Sequence, residues 1–233
     1  MALADDIRAL RDRALADLNA AHDYYADTKT AWRIVHKAVQ GGQMFSIRNM
    51  VTGTATTHAD LAGKAERYVA EQLAEATFQQ FISIFENYFF DFLRLWLIAY
   101  PQSLIGRKVD FKAVLDAPDK EAITLLVVNK ELNEISYDRP AGWFAYLEDR
   151  AKLGCPTPDE IERIAEAKAS RDVLVHNRRI ANKTYELKAG KLARCHDGQR
   201  IDIPEDYHRA RWMLIRKVIA DISNAAVTKV ASP

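Results

Sequence analysis

The stretch Ser170-Arg171-Asp172-Val173-Leu174-Val175-His176-Asn177-Arg178-Arg179 holds the side chains best suited to chemistry. On a helix, Asp172 and His176 stand one turn apart on one face. The carboxylate can hold one imidazole nitrogen and leave the other free for proton transfer. Arg171 lies five residues before His176, roughly 140° round a regular helix. The two therefore diverge within one chain unless the helix ends between them, whereas two chains packed about a two-fold axis bring both into one cleft. A permanent cation beside a titratable imidazole suits phosphodiester cleavage. The histidine handles the 2′-hydroxyl proton and the arginine neutralises charge building on phosphorus. The same spacing also fits a core-lining helix whose Arg171, Asp172 and His176 form a structural polar network.

Other chemistries find little support. There is no Gly-rich phosphate loop, no Cys-x-x-Cys, no His-Glu-x-x-His and no Gly-x-Ser-x-Gly. Neither a metal nor a cofactor is expected. Cys195 and His196 are adjacent, but catalytic Cys-His pairs meet in space rather than in sequence. His22, His36 and His58 sit among helical surface residues and read as solvated.

Composition constrains the elements that position this stretch. The chain has 233 residues, 48% of them apolar, with only 9 Gly and 7 Pro. That fits one helical domain, or one with an extension, rather than an all-β sandwich. Two cysteines form no disulfide framework. Seven charged residues are spread through the first twenty positions, and Glu86, Asp91 and Arg94 interrupt the longest apolar stretch, residues 78–100. No signal peptide or membrane span is read, and the expected location is cytoplasmic. Net charge is only +1, yet residues 168–217 carry 13 Lys or Arg against 6 Asp or Glu. A basic third is compatible with nucleic-acid contact, and equally with a solvated helix face.

Apolar periodicity predicts a long helix over residues 3–40, closed by Gly41-Gly42, and a loop with a short extended piece to Thr57. A second long helix over 58–99, capped by Thr57, carries two apolar stripes. One runs through Phe78, Phe81, Ile82, Phe85, Phe89, Phe92 and Trp96, the other through Ile84, Tyr88 and Leu95. Such a helix sits at the centre of a bundle or faces a partner subunit. Residues 101–110 read as a connection, 119–134 as a helix, and Arg139-Pro140 as the start of a short one closed by Gly154. Thr157-Pro158-Asp159-Glu160 opens the helix that carries Arg171. Residues 185–203 read as a loop or small hairpin, and Pro204 starts the last helix.

The Ser170–Arg179 segment resembles the R-x-x-x-x-H signature of the HEPN superfamily. Phe85-Glu86-Asn87-Tyr88-Phe89 resembles that family's first core helix, and Gly198–Glu205 resembles its lead-in to the last helix. The likeness spans residues 57–221, dividing the chain into an accessory helix and loop (1–56) and a helical domain (57–233). The resemblance implies an all-α bundle that dimerises and cleaves RNA without metal, in toxin–antitoxin or anti-phage systems. RNA, a second copy and an antitoxin protein are the implied partners. Arg171 and His176 match the catalytic pair and Asp172 the polar position after the arginine. Asn177 and Glu86 match supporting positions, Glu86 orienting the arginine. Arg178, Arg179 and Lys183 are expected to hold RNA. Arg178 stands where the toxin group has a tyrosine, and Arg179 where a glycine is common. The alternative is a non-catalytic helical module that binds nucleotide or RNA, or that oligomerises.

Overall fold

The computed structural model describes residues 2–44 and 46–231, of which 77% are helical. No strand forms among them, only isolated antiparallel bridges at Arg48–Ala55 and Ile180–Arg200. The chain is all-α, as periodicity and composition predicted. Phe45, within the expected loop, lies outside the described residues.

Helix α1 (Ala2–Gln40) buries Ile7, Leu10, Ala14, Leu18, Ala21 and Tyr25 along one stripe. It ends where Gly42 takes a left-handed φ of 82°. Helix α2 (His58–Arg67) starts at Thr57, whose side chain accepts the Asp60 amide. It runs through a π turn (Tyr68–Gln72) into α3 (Leu73–Ala99), so the long helix read over 58–99 is continuous but carries one wide turn. Helix α3 is the central element. Phe78, Phe81, Phe85, Phe89, Phe92 and Trp96 are all buried, and so is Tyr88 of the second stripe. A single apolar cluster joins them to Ile7–Tyr25 of α1 and to residues near both chain ends. Each fully buried ring or branched side chain contributes about 1.5–3 kcal/mol of transfer free energy. Packing inside its own chain therefore accounts for the two apolar faces of α3. The first helix likewise packs on its own chain.

Short helix α4 (Phe111–Asp116), capped by Asp110, follows the predicted connection; α5 (Lys120–Ser136) is capped by Asp119. Helix α6 (Pro140–Ala151) starts at a proline as read. Helix α7 (Pro158–His176) opens with a full capping box, Thr157 and Glu160 each bonding the other's backbone. After it the expected loop or hairpin is a short helix, α8 (Lys183–Ala189), then a 3-10 turn (Gly190–Leu192) and an irregular return. Asn182 caps α8 through the Tyr185 amide. Tyr185 and Ala189, one turn apart, are buried with Ala169, Val173 and Ile201. Helix α9 (Glu205–Ala231) returns across α1 and α3.

His208 of α9, which drew no attention in the sequence, lies fully buried. Its Nε2 donates to Thr77 Oγ1 at 2.8 Å, since that hydroxyl already donates to the Leu73 carbonyl. Its ring packs on Tyr25 at 4.1 Å and Phe81 at 4.8 Å. His22, read as solvated, stacks on Trp212 at 3.9 Å. Burial first, then the charges of His22 and Lys29, push the His208 imidazole down from 6.5 to about 4. The unfolded chain then binds a proton that the folded chain refuses. Stability is complete above pH 6.5, falls as pH drops, and levels off below about 4. The full effect is about 3 kcal/mol. Urea midpoints measured from pH 7 to 4 should lose this slope in His208→Gln, although that variant is less stable at neutral pH.

Candidate functional site

Helix α7 presents two chemically different faces. Its inner face carries Glu166, Ser170 and Val173, all buried. Glu166 Oε1 accepts from Ser170 Oγ at 2.7 Å, Arg194 Nε at 2.9 Å and Tyr185 OH at 3.4 Å. Its Oε2 accepts from Tyr207 OH at 2.7 Å and Arg211 Nη2 at 2.9 Å. The Tyr207 ring lies beneath both guanidiniums, 3.6 Å from Arg194 and 4.4 Å from Arg211. Burial alone would raise the Glu166 carboxyl. Arg194, Tyr207, Ser170 and Arg211 together outweigh it and hold the group below its ordinary range.

The outer face carries Lys168, Arg171 and Asp172. Glu86 of α3 accepts Lys168 Nζ at 2.7 Å and lies 3.9 Å from Arg171 Nη2. The expected orienting acid therefore holds the lysine first and the arginine second. Asp172 meets Lys188 Nζ at 3.0 Å, Arg171 Nη1 at 3.4 Å and Lys168 Nζ at 3.8 Å. The expected Asp172–His176 hydrogen bond is not made, because the lysines occupy the carboxylate. Helix α7 stays regular through His176, its last residue. Arg171 and His176 therefore diverge by roughly 140°. The His176 side chain is exposed, and no hydrogen bond or ion pair engages it among the described residues. Val175 before it and Ile180 in the following turn are also exposed.

The turn after α7 accounts for the remaining predicted residues. Asn177 caps the helix and donates its side-chain amide to the Ile180 carbonyl. Arg178 and Arg179 both adopt positive φ, 50° and 69°. Arg179 ties this strained turn to the π turn and α3, through Glu71 at 2.6 Å and Glu75 at 2.7 Å. Arg200 shares Glu71 at 2.7 Å. Hydrogen bonding to Arg179 holds the Glu71 carboxyl low, while burial pushes Glu75 up despite the same guanidinium. Arg179 is thus occupied internally, whereas Arg178 and Lys183 are exposed and without partners among the described residues. Much of the basic third is consumed in the same way by Glu71, Glu160 and Glu166. Cys195 and His196 do not pair. The thiol faces the Arg200 carbonyl and the imidazole meets Glu186 at 3.0 Å.

Beside Glu86 and Lys168 opens a groove of about 470 Å³, bounded by Asn87, Phe90 and Asp91 of α3 and Trp143 of α6. Among the described residues no three His, Cys, Asp or Glu side chains converge as a metal site requires. None of the described helices is long and apolar enough to cross a membrane. No family model, curated protein or solved structure matches the chain.

Sequence reasoning missed Lys168, Lys188, Glu166 and the groove. Lys168 was accessible from its i,i+4 spacing to Asp172. Lys188 reaches Asp172 only because α8 folds back, which no local pattern announces. Removing one partner from a buried ionic cluster leaves charge uncompensated. Glu166→Gln should therefore cost about 3 kcal/mol by urea denaturation at pH 7. The wild-type contribution disappears as pH falls through the depressed carboxyl value.

Proposed function

We propose that this chain is a metal-independent endoribonuclease of the toxin or anti-phage defence type, active as a homodimer. The observation that carries the reading is the idle state of the matched pair. Arg171 makes only long ion pairs, at 3.4 and 3.9 Å, and His176 makes none at the exposed end of α7. Their divergence within one chain fits a cleft completed by a second copy, for which exposed Val175 and Ile180, flanking His176 in sequence, offer apolar surface. Exposed Arg178 and Lys183 supply phosphate contacts beside it.

In this reading His176 takes the 2′-hydroxyl proton and O2′ attacks phosphorus. The P–O5′ bond breaks, and the departing oxygen gains a proton from the second imidazole. Arg171 offsets the charge on the phosphoryl oxygens. The products are a 2′,3′-cyclic phosphate and a 5′-hydroxyl. The ion pairs on Arg171 and Asp172 also suit the second reading, a non-catalytic RNA-binding module.

Incubation with total RNA separates the two. Wild type should cut RNA and not DNA, with excess EDTA making no difference. His176→Ala and Arg171→Ala should each lose ~100-fold or more. Equal cleavage by His176→Ala, or loss with EDTA that magnesium restores, overturns the proposal. Asp172→Asn tests the geometry separately. Because Asp172 bonds Lys188 and Arg171, its loss should slow cleavage while leaving the pH midpoint of the rate unchanged. A shifted midpoint would mean that Asp172 acts on His176 after all.

A further inference from the structure

We infer that the groove between α3, α6 and α7 is a base-binding subsite that favours nucleobases bearing an exocyclic amino group, cytosine over uracil among pyrimidines. This deepens the ribonuclease reading and takes its substrate class from it.

The groove is chemically polarised along α3. At one end stand Lys168, bound to Glu86 at 2.7 Å, and Arg171 just beyond it. A phosphate arriving there would displace Glu86 from Lys168 and engage the loosely held Arg171. At the other end Asp91 lies five residues past Glu86, roughly 7 Å along the helix axis. That separation is comparable to the span from a nucleotide's phosphate to its base. The volume of about 470 Å³ accommodates a base with its sugar.

The side of the groove formed by Asn87 and Asp91, one turn apart on α3, suits edge recognition. Asn87 and Asp91 are exposed and, among the described residues, engaged in no hydrogen bond or ion pair. An ionised carboxylate only accepts. It pairs with the amino groups of cytosine, adenine or guanine and opposes the O4 carbonyl of uracil. The Asn87 amide can donate to a neighbouring ring nitrogen or carbonyl. Half-buried Phe90 meets Trp143 edge-on at 5.0 Å and gives the groove an aromatic wall on which a base can stack. Trp143 is the floor, 1% exposed, with Lys168 Nζ 5.3 Å above its ring. Its indole N–H is buried without a partner.

The test is a titration of the folded chain with CMP and with UMP, followed through the indole N–H resonances. Trp143→Phe assigns the relevant signal, and Asp91→Asn is an exposed-site variant whose spectrum reports that it folds. In wild type CMP should move the Trp143 signal and bind about ten-fold tighter than UMP, the low end of one good base-edge pair. Asp91→Asn, which can donate, should lose that preference. Equal affinity for both nucleotides in wild type overturns the subsite. So does no movement with either nucleotide, or a cytosine preference that survives Asp91→Asn. Preferential CMP binding by a protein that cuts no RNA keeps the subsite and removes the ribonuclease reading. Cleavage without preference does the reverse.

Discussion

The site-bearing half of the chain depends on one buried carboxylate, Glu166. Removing an ionised carboxylate from water costs several kcal/mol unless its oxygens are satisfied. Five donors meet it, from α7, α8, the return loop and α9. Each is held in turn. Tyr185 OH also accepts the Arg194 amide at 2.9 Å, and Arg194 Nη1 reaches the Asp202 carbonyl at 2.9 Å. The segment from 183 to 203 is thus fixed on α7 by these converging polar bonds together with the apolar contacts of Tyr185, Ala189 and Ile201.

This anchoring sets the outer face as well. Glu166 and Arg171 are five residues apart, so fixing one inward turns the other outward, roughly 140° away. The end of α7 is fixed by a separate device. Two successive left-handed non-glycine residues cost about 1–2 kcal/mol each. Arg178 and Arg179 are kept there by the Arg179 pairs with Glu71 and Glu75, and by the Ile201 amide on the Arg179 carbonyl at 2.8 Å. The helix stops at His176 because the chain must turn to deliver Arg179 to the π turn. His176 is left at the rim as a consequence.

What was legible in the sequence follows from range. Helices α1, α3, α7 and α9 announce themselves because an apolar stripe repeated over many turns has one explanation, and α7 adds a capping box. Helix α8 escaped because seven residues hold too few periods, and its Asn182 cap lies in a run rich in charge and turn residues. The candidate site divides along the same line. Spacing put Arg171, Asp172 and His176 in one stretch. It also favoured an Asp172–His176 bond that the lysines pre-empt, since Lys188 arrives from outside the local window. The doubly apolar α3 admitted both a bundle centre and a subunit face. Only the packing of α1 and α9 over it decides for the centre.

The arginines of this chain differ in a way that separates scaffold from site. Arg179 spends its guanidinium on two carboxylates at 2.6 and 2.7 Å. Arg194 spends its own on Glu166, Ser170 and the Asp202 carbonyl. Arg171 meets its acids only at 3.4 and 3.9 Å. A guanidinium offers five donors, and those of Arg171 are only loosely engaged. Structural arginines close their bonds within the fold, because that is how they stabilise it. An anion with two oxygens would engage Arg171 bidentately, at the expense of long contacts to Glu86 and Asp172 that are worth little in partial solvent. In the ribonuclease reading proposed above, that loose engagement is what distinguishes Arg171 from Arg179 and Arg194, whose bonds close within the fold.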